Sequence, residues 1–290
     1  MNVDNACCSS QRIAPFLKWP GGKRWLIPII KRIVGHELKG TYYEPFVGAG
    51  AAFLAIAPEH AILSDINQEL ITCICTTIDR PTEVIRALKK YSNTETCFYK
   101  ARASRPRSAI AEAARFIYLN RTCWGGIYRL NHKGQFNVPF GNSGRPILPN
   151  INFEACVKLF SRANILCADF EEVMGQAVKG DVIYADPPYT LLQKNNGFIR
   201  YNDRLFSWED QKRLAKVCKS AANKGVFVAV SGLYHKDILG IYPGWWSLRI
   251  SRKSLISGDS EKRREIFEML LFNRKPRLSH EELLGGLQRI

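Results

Sequence analysis

The segment DVIYADPPYT, residues 181–190, ends an apolar run with one carboxylate, two prolines and an aromatic ring. Val182 to Ala185 have the composition of a strand buried on both faces. Asp186 falls at the carboxyl end of that strand, where sheets of this kind collect their ligands. Pro187 and Pro188 fix φ and remove two N–H donors, so the turn offers carbonyl oxygens only. Tyr189 adds a flat face. Acceptors beside a stacking platform, without a nucleophile, are suited to holding a planar ring whose exocyclic NH2 must itself become nucleophilic. Drawing the amine hydrogens toward the Asp186 carboxylate and the Pro187 carbonyl favours a pyramidal, reactive nitrogen. No metal is needed when the electrophile is already a cationic sulfonium, and none is expected.

Two upstream motifs bear on a cofactor. YYEPFVGAGAAFLA, residues 42–55, runs from a strand through a Gly-x-Gly turn into an Ala-rich helix start. Gly48 and Gly50 let the backbone approach a ligand closely, and the helix start presents N–H groups. Ala52 or Phe53 replaces the third glycine of the dinucleotide fingerprint, which argues against NAD. Asp65, in ILSDIN, ends the next strand, where a carboxylate can accept from both hydroxyls of a ribose. Alone, the first motif is a tight turn and the second a helix cap. In this order they favour an adenosine-containing cofactor.

The elements that must position these residues are legible as short apolar runs without alternation: 41–46, 61–66, 165–170, 181–187 and 225–231. Helix-like segments lie between most of them. The clearest begins at Ser207, whose spacing to Asp210 resembles a capping box, and runs through Leu214, Val217 and Ala221 to Asn223-Lys224-Gly225. Strand, helix, strand implies an α/β fold with a mostly parallel sheet. WWSLRIS (245–251) and REIFEMLLFN (264–273), joined without a helix, read as an antiparallel pair at its edge. About a hundred residues separate the second and third strands, too many for a crossover, so a mainly helical subdomain is inserted there. This gives residues 1–69 and 151–290 to a catalytic domain and 70–150 to the insert.

The chain has 290 residues and a formal charge of +16. Residues 76–150 hold 13 lysines and arginines against 4 acids, so more than half of the excess sits in about a quarter of the chain. A concentrated basic patch neutralises phosphates, and nucleic acid is the expected partner. The nine cysteines are odd in number and contain no C-x-x-C, which points to a reducing cytoplasm without disulfides or a zinc site. The N-terminal MNVDNACCSSQR lacks a basic region followed by a long apolar stretch, and no run of about 18 apolar residues occurs, so neither secretion nor membrane spanning is expected.

In motif and order, the sequence resembles the Dam-type (D12 class) adenine-N6 DNA methyltransferases that use S-adenosylmethionine. The segments are FLKWPGGK (16–23), EPFVGAG (44–50), SDIN (64–67), FIYLNRTCWGGIYRLNHKGQFNVPFG (116–141), the DF of ILCADF, and DPPY. The resemblance implies a Rossmann-like fold with a seven-stranded sheet and an inserted target-recognition subdomain bearing a β-hairpin. It further implies a monomer acting on double-stranded DNA in the cytoplasm, at the nucleoid. By motif, Trp19, Lys23, Phe46, Gly48, Gly50 and Asp65 contact the cofactor, Asp169 and Phe170 bracket its adenine, and Asp186 borders both sites. Asp186, Pro187 and Tyr189 take a target adenine flipped out of the duplex.

In the insert, NHKG (131–134) turns a two-stranded ribbon of a size that fits the major groove. The resemblance makes Arg129 the candidate for a bidentate guanine contact, Lys18 for a second guanine, and Ile127 and Pro139 for a thymine methyl. Arg121 and Asn137 join the DNA-binding set, and Trp124 is an intercalating wedge. The implied site is GATC or one built around GAT. Relatives often have tyrosine and asparagine where Trp124 and Gly125 stand, and Ser-Asn where this chain has Ser231-Gly232. Methylation of cytosine N4, which needs the same amine chemistry, and a non-catalytic DNA-binding regulator on the same fold are the alternatives. RNA suits a major-groove ribbon less well.

Overall fold

A computed structural model describes residues 13–19, 26–141, 144, 146–148, 152–189, 206–253, 265–277 and 287–289. The chain divides into two compact units. One draws on Met1–Gly22, Ala49–Ala55 and Thr72–Ser161, and the other on Lys23–Gly48, Ile56–Ile71 and Arg162–Ile290. The basic insert therefore groups with two short segments from the N-terminal part of the chain.

The second unit holds one sheet. Its strands are β1 (Tyr42–Glu44), β2 (Ala61–Asp65), β3 (Ala163–Cys167), β4 (Val182–Ala185), β5 (Phe227–Leu233), β6 (Trp246–Lys253), β7 (Glu265–Phe272) and β8 (Leu287–Arg289). They lie in the order β3-β2-β1-β4-β5-β7-β6-β8. The five from β3 to β5 are parallel, and β7, β6 and β8 add antiparallel neighbours. The fold is the expected Rossmann-like α/β sheet of seven strands, with the three-residue β8 as an eighth at the edge. The expected edge pair is β6 and β7, in register from Trp246 opposite Phe272 to Lys253 opposite Glu265.

β1, β4 and most of β5 are buried on both faces, which is why their sequences run apolar without alternation. Ile183, Val228, Val230, Leu271 and the helix residues Val173, Leu214 and Cys218 share one apolar core. Each such aliphatic side chain contributes about 1.5–3 kcal/mol by burial. The Trp208–Asn223 helix starts with the full capping box: the Ser207 hydroxyl accepts from Asp210 N–H, and the Asp210 carboxylate accepts from Ser207 N–H. The chain passes from β1 to β2 on one side and returns to β4 on the other. The loops leaving β1 and β4 therefore open at the switch point where ligands of such sheets bind.

In the first unit the helices Pro81–Leu88, Glu95–Ala103 and Ala109–Thr122 pack together. Arg115 is buried, and its guanidinium serves the end of the Glu95–Ala103 helix: Nε donates to Ala101 O (2.8 Å) and Nη2 to Arg102 O (3.1 Å), while Nη1 pairs with Glu112. Among the described residues, no helix is long and apolar enough to cross a membrane.

Candidate active site

Asp186 leaves the end of β4 half-buried, followed by the buried Pro187 and the half-buried Pro188 and Tyr189. Its Oδ1 accepts from the Ser231 hydroxyl on β5 at 2.7 Å. The Tyr184 hydroxyl lies 3.0 Å from the same Ser231 Oγ. Burial, and next the charge of Asp186, push the Tyr184 phenol well above its ordinary pKa, so it stays protonated. With the Ser231 proton given to Asp186, the donors run from Tyr184 through Ser231 to the carboxylate. Beside them the Tyr42 hydroxyl donates to Glu44 Oε2 at 2.8 Å, its own pKa raised by burial and by Glu44. Pro187, Pro188 and Tyr189 line a small cleft with Gln211, Gly232 and Met269.

Sequence reasoning names Ser231 only in the Ser231-Gly232 departure from the family's Ser-Asn pair and gives Tyr184 no site role, although each leaves a trace. A tyrosine inside an apolar strand, two residues before Asp186, lies on the same strand face as that carboxylate. Ser231 stands at the polar end of the GVFVAV run.

The loop after β1 is tied to β2 by Val47 N–H to Ser64 O (2.8 Å). Gly48 N–H donates to Asp65 Oδ2 (3.1 Å) and Asn67 N–H to Asp65 Oδ1 (3.0 Å). Desolvation raises the Asp65 pKa, and these N–H groups partly offset it. A carboxylate has about four acceptor positions, so Asp65 can orient the glycine loop and still take hydroxyls. Phe46 packs on Phe170 (5.4 Å between centroids) and on Phe206 (5.5 Å).

Asp169 caps the Phe170–Gly175 helix through Glu171 N–H, and its two oxygens receive both terminal nitrogens of Arg213 at 2.9 Å. The Arg213 guanidinium lies 4.3 Å above the Phe170 ring, which is 4% exposed. The pair expected to bracket an adenine is thus turned toward Arg213 and the aromatic core. Sequence reasoning misses Arg213 as well; its signal is its place one turn after Asp210 on the capped helix.

Lys23 is outside the described residues. Trp19 and Gly50 belong to the first unit, where Trp19 stacks on Tyr128 (5.6 Å, 20°). Gly50 has φ +72°, and a Cβ there would stand 2.5 Å from Phe160 Cζ. Packing as well as backbone conformation therefore demands glycine.

The candidate DNA-binding residues are all in the first unit. The 131–134 turn closes a short ribbon in which Leu130 bridges Phe136 and Cys123 bridges Phe140. Asn131 Oδ1 accepts from Lys133 N–H and Gln135 N–H. Arg129 Nε donates to Asn137 Oδ1 (2.9 Å), so Asn137 sets the plane of the guanidinium. Trp124 is 58% exposed, with its backbone N–H bonded to Pro139 O (2.9 Å). Ile127 is half-buried and Pro139 exposed.

Arg121 differs from the others: it is 9% exposed and its Nε donates to Ile147 O, which makes it a brace inside the unit. The backbone of Lys18 is clamped on both sides by the buried Asn120 side chain (2.7 Å each way), and its Nζ donates to Arg121 O (2.9 Å). Gly126, at φ +66°, leaves room for the Lys18 stem, since a Cβ there would meet it at 2.7 Å.

The fold is a Rossmann-like α/β sheet with a carboxylate at the end of a central strand. The sequence is more specific: residues 19–267 match the D12 class N6 adenine-specific DNA methyltransferases, and the chain belongs to this family. It is 33% identical over 272 residues to the type II methyltransferase M1.LlaDCHI of Lactococcus lactis subsp. cremoris, covering 90% of this chain and 95% of that protein. The type II methyltransferase M.MjaIII of Methanocaldococcus jannaschii is 33% identical over 286 residues (90% and 99%). The DNA adenine methylase of Vibrio cholerae is 32% identical over 262 residues (88% and 94%). Enzymatic methylation of adenine in DNA is the activity this membership carries.

Proposed function

We propose that the enzyme transfers the methyl group of S-adenosylmethionine to N6 of an adenine flipped out of double-stranded DNA, within GATC or another GAT-containing site. The observation that carries this reading is the Asp186 carboxylate at the end of β4, held by Ser231 and followed by the Pro-Pro-Tyr turn. Asp186 accepts one N6 hydrogen and Pro187 O the other, while Tyr189 stacks on the ring. As the N–C bond forms, the donor's sulfur–methyl bond would break and its electron pair return to sulfur as a neutral thioether, while the surplus amine proton leaves toward Asp186. The flipped base pays unstacking once and is then read on its amine edge.

The residues fit the proposed donor. Asp65 has acceptor capacity for ribose hydroxyls, and Gly48 offers a turn that a ligand can approach. Phe46 supplies an apolar wall with Phe170, beside Asp169; for Trp19, Lys23 and Gly50 the support for a cofactor role is the motif resemblance alone. When bound, this cofactor supplies a methyl already activated as a sulfonium, so the protein need only position the amine. Supporting the DNA assignments to the first unit, Trp124 is exposed enough to wedge into the stack, and Asn137 pre-orients Arg129 for a bidentate guanine contact. Lys18, Ile127, Pro139 and Arg121 join them as base-edge, thymine-methyl and bracing residues.

The test is to methylate plasmid DNA with labelled donor and digest it with enzymes sensitive to adenine or cytosine methylation. Asp186→Ala should bind DNA and leave it unlabelled. Label on cytosine N4, or wild-type turnover by that variant, would refute the reading.

A further inference from the structure

We infer that Arg249, on β6 of the second unit, is a DNA-phosphate contact that grips the backbone next to the target nucleotide; this deepens the function proposed above and rests on it. Arg249 is exposed. Its guanidinium lies 3.7 Å from the centroid of the Phe267 ring and 4.7 Å from that of Tyr234. Two aromatic contacts are far more than a solvated arginine needs. They fix the side chain through its faces and direct its N–H edge, the part that pairs bidentately with phosphate oxygens, toward the surroundings.

Sheet register supplies the location. Arg249 pairs with Met269 on β7, and Met269 pairs with Gly232 on β5. Directly paired residues project to one face of a sheet, so the three form a row. Gly232 and Met269 line the cleft that also holds Pro187, Pro188 and Tyr189. Arg249 is the next position outward, two strand spacings or roughly 10 Å from Gly232. Tyr234 follows β5 only three residues after Ser231, which holds Asp186. On this proposal the sugar-phosphate of a nucleotide whose base reaches Asp186 runs past the end of β5 to the mouth of this cleft, since Ser231, which holds Asp186, projects to the opposite face of the sheet from Gly232 and Met269. A planar cation anchored at that rim matches that anion.

None of the DNA-binding residues drawn from the sequence lies in the catalytic unit, so the contact is separate from base readout. A phosphate grip on the extruded nucleotide would act equally on every sequence.

The experiment is a methylphosphonate scan. Duplexes carrying the target site, each with one neutral linkage near the target adenine, are titrated by fluorescence anisotropy against wild type, R249Q and R249K at several salt concentrations. For wild type, one or two linkages flanking the adenine should weaken binding. R249Q should be insensitive to those same linkages and show a log K against log salt slope smaller by about 1, while R249K keeps the slope. Unchanged sensitivity and slope in R249Q overturn the inference. Should R249Q lose its thermal transition, Phe267→Leu carries the scan with R249K as the charge-retaining control: Phe267→Leu should weaken the response at those linkages, and a response equal to wild type in Phe267→Leu overturns it. Labelled methyl transfer to the unmodified duplex runs in parallel. Label on cytosine sinks the parent reading, while the scan still decides Arg249.

Discussion

Replacing Ser231 by alanine removes the hydroxyl that donates to Asp186 Oδ1 at 2.7 Å and faces the Tyr184 hydroxyl at 3.0 Å. A hydrogen bond to a charged group is worth about 1.5–3 kcal/mol. If that bond serves to aim the carboxylate at the amine in the transition state, its loss appears in kcat as about 10- to 150-fold, at about 1.4 kcal/mol per decade. Ser231 is fully buried behind Asp186, so affinity for DNA and for the methyl donor should hold. A second consequence is structural, because the buried Tyr184 hydroxyl loses a partner at a cost of about 1–3 kcal/mol, visible as a lower melting temperature. Single-turnover transfer of labelled methyl, alongside KM for both substrates and a thermal melt, separates these effects. A transfer rate within twofold of wild type, in a variant whose melting temperature has fallen, would refute the positioning role. So would a defect confined to KM.

Arg129→Ala should relax selectivity at one base pair by about 1–3 kcal/mol, measured as the ratio of kcat/KM on cognate and singly substituted duplexes. Asn137→Ala should shift the same position by less, because it removes only the 2.9 Å bond that orients the guanidinium. Gly50→Ala combines a left-handed backbone with a collision against Phe160, and should cost about 2–4 kcal/mol in denaturant titration. Asp65→Asn tests linkage. Burial raises the folded pKa of Asp65, so its favourable contribution is present below the unfolded pKa and is lost as pH rises through the folded one. The variant's melting temperature relative to wild type should therefore rise between pH 3 and pH 7, while calorimetric affinity for S-adenosylmethionine falls.

What the sequence makes legible is local. The Asp186 turn, the Ser207–Asp210 cap and the 131–134 hairpin each depend on residues within a few positions, and their chemistry is written in composition and spacing. The parallel sheet is legible because burial on both faces forces unbroken apolar runs. Contacts across long separations are not written that way. Arg213 meets Asp169 across 44 positions, and Ser231 meets Asp186 across 45. Asn120 clamps Lys18 across 102, which draws the N-terminal segment into the unit of the insert. Each needs the register of neighbouring elements before any pair is visible. The same holds for Arg249: WWSLRIS shows an arginine on a strand, and only β7 and the end of β5 show the rings around it. Arg121 fails in the opposite way, since a basic residue in a basic segment gives no hint that its side chain turns inward to Ile147.

The most direct test of the central claim is single-molecule sequencing of DNA from cells expressing the wild-type chain or Asp186→Ala. The account predicts N6-methyladenine at a GAT-containing site with the wild type and none with the variant. Modified cytosine, or adenine modification that persists in Asp186→Ala, would contradict it.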